Sequence, residues 1–202
     1  GHSSTSISAA LGMAIAAAMQ QWNLHRRIAL GIMEKIGTDP RRLLAGVLAA
    51  TAFISLWITN TATATMMMPI GLALVAQLEA RSGSRLRNYG MAIMLAIAYG
   101  ANLGGIGTKI GTAPNGQFAG FLERMGKSVS FVEFLLVGVP FVLVLLPLAW
   151  AMLWRLGRKD PLAGDARDVV HRELAALGAV QRPERIVAGV FLAAAAGWIA
   201  SK

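Results

Sequence analysis

The 202-residue chain contains no cysteine. Disulfides, thiolate metal sites and a cysteine nucleophile are therefore excluded. Its three histidines, at positions 2, 25 and 171, lie far apart and have no metal-ligand spacing. Charge is scarce as well. Asp, Glu, Lys and Arg make up 14% of the chain, against about 25% in a soluble domain. The groupings of soluble enzymes are also missing. There is no His–carboxylate–nucleophile set, and there is no Walker A, because Lys109 follows Thr108 rather than glycine. Gly105-Ile106-Gly107-Thr108-Lys109-Ile110-Gly111 comes near a dinucleotide fingerprint. It follows an apolar run, however, and no βαβ pattern surrounds it. The start, Gly1-His2-Ser3-Ser4-Thr5-Ser6, lacks the basic region of a signal peptide. This start and the end at Ser201-Lys202 are expected to be cut ends.

What is present is apolar. The chain is 55% hydrophobic and its mean hydropathy is +0.57. The apolar residues come in long blocks rather than amphipathic stripes, which suits lipid better than a water-facing surface. The blocks are 7–19, 43–58, 66–78, 90–103, 118–122, 131–154 and 186–200. Residues 131–154 form the clearest full span, with Trp150 and Trp154 placed for an interfacial belt. Two basic stretches between blocks mix charge with apolar residues and predict helices lying in the membrane interface. One is centred on Leu24-His25-Arg26-Arg27-Ile28-Ala29-Leu30. The other carries Val170, Leu174 and Leu177 at helical spacing. The ten methionines, Met66-Met67-Met68 among them, read as packing material.

The net charge of +9 would suggest nucleic acid in a soluble protein. Here the basic residues sit at the ends of apolar blocks, where charge reports orientation. If residues 43–78 crossed the membrane once, the basic residues would divide almost evenly between the two sides. If they form a re-entrant hairpin, loops 20–42, 79–89 and 155–185 share one side with fifteen Lys and Arg, and loop 123–130 faces them with two. The hairpin is therefore expected, with the three basic loops cytoplasmic. No nucleic-acid partner is expected.

Two sites break apolar runs with polar residues. The first is Ser55-Leu56-Trp57-Ile58-Thr59-Asn60-Thr61-Ala62-Thr63, and the second runs from Gly104 to Asn115. Broken backbone cannot face lipid, because unpaired N–H and C=O groups cost several kcal/mol each there, so it must line a cavity or face protein. The N-terminus of a half-helix offers free N–H groups and a positive dipole to an anion. The C-terminal end and the unwound carbonyls suit a cation. Ser55, Thr59, Asn60 and Thr61 add neutral donors and acceptors, while Gly104, Gly105 and Gly107 let backbone approach an ion closely. A plainer reading stands beside this one. Serine and threonine in membrane helices often bond their own backbone or a neighbouring helix, and paired glycines often serve helix packing. Lys109 is an ionisable group at membrane depth, a functional candidate or a side chain snorkelling to an interface.

Taken in order, Trp22-Asn23-Leu24-His25-Arg26-Arg27-Ile28-Ala29-Leu30, Gly37-Thr38-Asp39-Pro40-Arg41-Arg42-Leu43-Leu44, the first break, and Gly104-Gly105-Ile106-Gly107-Thr108-Lys109-Ile110-Gly111-Thr112-Ala113-Pro114-Asn115 resemble the divalent anion:sodium symporter family over most of the chain. The resemblance implies two inverted repeats, each with a re-entrant hairpin tipped by Ser-Asn-Thr. It implies a homodimer that moves di- and tricarboxylates, usually with Na⁺, by an elevator-like shift of the transport domain. It implies that Asn60, Thr61, Thr63, Pro114 and Asn115 meet the substrate. Ser55, Thr59, Asn60, Gly104, Gly105, Gly107 and Thr108 would surround Na⁺. Helices near 24–36 and 164–178 would be the arms joining scaffold and transport domains. The chain departs from that pattern in carrying Thr59-Asn60-Thr61 for Ser-Asn-Thr, Ala113-Pro114-Asn115 for Pro-Pro-Asn, and Lys109 where a neutral residue is expected. The second hairpin and the initial scaffold helices are absent.

The expected architecture is an all-α membrane protein with transmembrane helices, a re-entrant hairpin and a broken helix, one half of an inverted-repeat transporter. Residues 1–42 would be a partial scaffold helix plus an interfacial helix, and 43–125 the transport-domain hairpin and broken helix. Residues 126–185 would be a transmembrane helix plus an interfacial helix, and 186–202 the truncated start of a further span. The expected function is secondary transport of divalent organic anions such as succinate or citrate, coupled to Na⁺, in a bacterial inner membrane. No other cofactor and no enzymatic activity are expected. One alternative is Na⁺-independent exchange, with Lys109 as the charge substitute. Others are a non-transporting truncated product and a soluble basic binding protein. The membrane reading predicts that the expressed chain stays with membranes through alkaline carbonate washing and leaves them only in detergent. Recovery in the soluble fraction would return the reading to the basic binding protein.

Overall fold

The computed structural model describes residue 21 and residues 24–200. The apolar run 7–19, together with Trp22 and Asn23, lies outside the described residues. Among the described residues eight helices follow one another: α1 (Leu24–Ile36), α2 (Pro40–Ser55), α3 (Asn60–Ser82), α4 (Arg87–Ile106), α5 (Ala113–Arg124), α6 (Phe131–Gly157), α7 (Arg167–Ala176) and α8 (Arg182–Ala200). No strand occurs among the described residues. Helices α3, α4 and α6 are long and apolar enough to cross a membrane.

The chain punctuates these helices with ordinary signals. Gly37 ends α1 at a φ of 126°, a region favourable only to glycine. Asp39 then caps α2, its carboxylate accepting from the Arg42 N–H at 3.3 Å, and Pro40 opens the helix. Ser130 and Glu133 form a capping box at the head of α6. The start of α4 is capped from far away in sequence. Asp160, in the turn after α6, accepts from the Tyr89 N–H at 2.8 Å and from the Asn88 amide at 2.6 Å. Tyr89 is fully buried and donates its hydroxyl to the Pro40 carbonyl at 2.7 Å.

The packing centres on α2, most of whose side chains are buried. Its main partner is α4, and the contact is nearly backbone on backbone. A Cβ added at Gly100 would sit 2.8 Å from the Leu48 carbonyl oxygen, and one at Gly104 would sit 2.1 Å from that of Ala52. Gly100 and Gly104 are one turn apart, the small-xxx-small pattern that lets membrane helices touch. On its other flank α2 receives α1, whose Ala29, Leu30 and Met33 are completely buried, with Gly46 against the Met33 backbone. The apolar stripe of α1 is thus covered by protein.

Two expected boundaries move. The first break was expected over residues 55–63, but only residues 56–59 leave the helix, and Asn60 begins α3. The threonines that follow lie within α3, where Thr65 donates to the Thr61 carbonyl at 2.8 Å. In the second break, Gly104 and Gly105 complete α4 while Ala113, Pro114 and Asn115 start α5, so only residues 107–112 are unwound. Helices α1, α7 and α8 are tied by ion pairs. Arg26 pairs with Glu173, His171 lies 3.3 Å from Glu34, and Arg27 lies 3.3 Å from the buried Glu184.

The glycine contact yields a paired prediction. Gly104→Ala forces α2 and α4 apart and lowers stability by about 1–3 kcal/mol, read as a lower thermal unfolding midpoint in detergent. Gly116→Ala, at an open helical position of α5, leaves the midpoint equal or slightly higher, since alanine is the better helix former.

Candidate functional site

Four helix ends meet at the two breaks. The C-termini of α2, at Ser55, and α4, at Ile106, bring carbonyl oxygens. The N-termini of α3, at Asn60, and α5, at Ala113, bring N–H groups. Thr59 and Thr112 occupy the cap positions of α3 and α5, and neither side chain caps its helix. The opposed dipoles put a region that suits a cation beside one that suits an anion.

Side chains knit these ends together. The buried Ser55 hydroxyl donates to the Ala101 carbonyl at 2.7 Å and lies 3.0 Å from Asn60 Oδ1. The Asn60 amide donates to Asn102 Oδ1 at 3.1 Å. Gly105 makes room for Asn60, since a Cβ there would lie 2.2 Å from Asn60 Oδ1. The Thr108 hydroxyl donates to the Leu56 carbonyl at 2.5 Å and accepts from the Gly111 N–H at 3.0 Å. Gly111 presses on both cation-type ends, with its Cβ position 2.6 Å from the Gly105 oxygen and 2.9 Å from the Ser55 oxygen. Asn115 closes the loop from the α5 side. Its amide donates to the Gly105 and Thr108 carbonyls, each at 2.8 Å. The donor set is neutral oxygen throughout, from hydroxyl, amide and backbone. Such a set fits a hard monovalent cation held by unwound backbone. Among the described residues no three His, Asp or Glu side chains gather as a transition-metal site would require.

Of the residues singled out in the sequence, Ser55, Asn60, Gly104, Gly105, Thr108 and Asn115 come together. Gly107 packs instead against Leu56, and its carbonyl faces Gly138 of α6. Thr59, Thr61 and Pro114 are exposed around the cluster. Thr63 is fully buried, and its hydroxyl finds no hydrogen-bond partner. Lys109 extends away, its ammonium donating to the Val129 carbonyl in the loop before α6 at 2.6 Å. The sequence reading missed Asn102. Its signal was present, as a polar residue two positions before Gly104 in an apolar run. The carbonyls of Leu56 and Ala101 had no signal, because any residue type supplies a carbonyl.

Span-length helices, two half-helices broken at a common point and a neutral oxygen cluster between them define a multi-pass membrane protein of the transporter class. The comparisons with known proteins agree. A family model described as Citrate transporter matches residues 2–201, and the chain belongs to that family. The sodium-dependent dicarboxylate transporter SdcS of Staphylococcus saprophyticus is 36% identical over 199 residues, which take in 93% of this chain and 38% of the relative. The protein of the same name from Staphylococcus aureus is 34% identical with the same coverage. These relatives bear out the resemblance to the divalent anion:sodium symporters, and they are transporters, not enzymes. The chain spans less than two fifths of their length.

The Asn115 bridge carries its own prediction. Asn115→Ala strands the Gly105 and Thr108 carbonyls and costs about 1–3 kcal/mol locally. Backbone amides of residues 105–112 then exchange with solvent about tenfold faster or more, while those in the middle of α4 keep their rates.

Proposed function

We propose that this chain supplies one half of the substrate and cation site of a secondary transporter that carries divalent organic anions, C4-dicarboxylates such as succinate and also citrate, together with Na⁺. The observation that carries the reading is the meeting of two helix C-termini and two uncapped helix N-termini around Ser55, Asn60, Gly105 and Asn115. Na⁺ would sit among the Ser55 and Asn60 side chains and the carbonyls that end α2 and α4. One carboxylate would lie against the N–H groups of α3 and α5, with Asn60, Thr61, Thr63, Pro114 and Asn115 around it. The named function of the Staphylococcus relatives supports this assignment.

The rest of the reading follows the family resemblance. Residues 43–78 form the re-entrant hairpin, α1 and α7 are interfacial arms, and the basic loops 20–42, 79–89 and 155–185 face the cytoplasm of a bacterial cell. The second half of the site comes from an inverted repeat outside these 202 residues, in a homodimer that moves its transport domain as a rigid body. Helix α2, at 16 residues, is about 24 Å long. It falls short of the about 30 Å of hydrocarbon, whereas the other limb, α3, has the length of a span, so the hairpin rests on the charge distribution and the family resemblance. The Lys109 bond to Val129 favours coupled symport over exchange, because exchange would need that ammonium in the cation's place.

The test is succinate uptake into proteoliposomes with and without a Na⁺ gradient, for this chain and for the full-length protein that contains it. Na⁺-driven uptake by the full-length protein alone is the expected result. Asn60→Ala and Ser55→Ala in that protein reduce the uptake at least about tenfold, the scale of a lost hydrogen bond to a charged group. Uptake indifferent to Na⁺ but accelerated by internal succinate would replace symport with exchange. No uptake of succinate, citrate or sulfate would reject the substrate class.

A further inference from the structure

The outer end of the α2/α6 pair carries charge that the transport site does not use. Arg41 and Arg42, both exposed, open α2 beside Trp150 of α6 around an open cleft of about 690 Å³. The Arg41 guanidinium carbon lies 5.0 Å from the centre of the Trp150 ring. The indole N–H donates to the Arg41 carbonyl at 3.2 Å, so the arginine and the tryptophan are held as one unit. Arg42 has only Asp39, at 3.6 Å in an exposed pair that contributes little. Among the described residues no carboxylate pairs with Arg41.

Below the arginines the exposed surfaces of both helices are apolar. Helices α2 and α6 are antiparallel here. Arg41 meets Trp150 at one end, and at the other both Leu56 and Val142 face the Cβ position of Gly107. On α2, Ala45, Ala49 and Phe53 continue the line of Arg42 at helical spacing, on a helix otherwise largely covered. On α6, Leu136, Leu143 and Trp150 recur every seven residues on one line, and Leu136 and Leu143 are 65% and 62% exposed. The stretch from Arg42 to Phe53 on α2 is ~17 Å long, enough to follow the ~15 Å of hydrocarbon in one leaflet.

We propose that this face binds an anionic phospholipid, with the phosphodiester on Arg41 and Arg42 and one acyl chain along the apolar surface of α2 and α6 below them. Arginine forks match phosphate oxygens in pairs. Tryptophan at the end of a span marks headgroup depth, and basic pockets between membrane helices select anionic headgroups. The alanines at 45 and 49 leave a shallow floor that a flexible chain can fill. The apolar surface below the arginines is what commits the site to a lipid, since a free phosphate would use only the arginines.

The experiment is native mass spectrometry of the full-length protein in detergent, titrated with phosphatidylglycerol or phosphatidylcholine. Retention of phosphatidylglycerol over phosphatidylcholine is the expected result. The Arg41→Gln/Arg42→Gln variant lowers that preference about thirtyfold, the scale of two arginines at a membrane surface. Arg85→Gln/Arg87→Gln, at exposed arginines elsewhere, leaves it unchanged. Ala49→Phe replaces the shallow floor with a ring and weakens both lipids while keeping the charge. Three outcomes would overturn the proposal. One is equal loss in the two arginine variants, which would mean a general surface effect. The second is full competition by inorganic phosphate, which would mean a soluble-anion site. The third is cross-linking of an Ala49→Cys variant to another segment of the protein, which would mean that a helix covers the face.

Discussion

A helix that stops at membrane depth leaves three or four carbonyls or N–H groups that lipid cannot satisfy. In this chain α2, α3, α4 and α5 all stop or start near one point, and most of the local structure answers that difficulty. The Ser55 hydroxyl takes up the Ala101 carbonyl and the Thr108 hydroxyl takes up that of Leu56. Asn115 serves Gly105 and Thr108 together. What is left over is selective: oxygen at two C-termini and uncapped N–H groups at two N-termini. The same backbone ends that would be a liability in a plain span are what an ion and an anion can use.

Such a meeting requires helices closer than ordinary side chains allow. Gly100 and Gly104 admit the α2 backbone, Gly105 admits Asn60, and Gly111 fits against the ends of both α2 and α4. Glycine is costly within a helix, and α4 accepts that cost at successive turns where it crosses α2. The contact also fixes register. Placing Ala52 against Gly104 sets Ser55 against Ala101, which aims the serine at Asn60.

Around this centre the peripheral elements hold position more than they do chemistry. Asp160 caps α4 from across the fold, and the ion pairs of Arg26 and Arg27 tie α1 to α7 and α8. Lys109, the most conspicuous residue of the sequence, belongs to this group. Its bond to Val129 ties the unwound loop to the head of α6.

The sequence by itself determined that this is a helical membrane protein broken at two polar sites. Long apolar blocks, scarce charge and Gly37, Asp39 and Pro40 as punctuation are local signals, because hydropathy and backbone preference act residue by residue. It also named Ser55, Asn60, Gly105 and Asn115, since polar and glycine residues stand out in an apolar run. Tertiary structure alone decided that the threonine tract continues as helix, that the apolar face of α1 is spent on α2, and that Gly107 and Lys109 turn to α6. It alone supplied Asn102 and the carbonyls of Leu56 and Ala101. Those outcomes depend on which backbone lies opposite, and a one-dimensional pattern cannot encode the partner of a carbonyl that every residue carries.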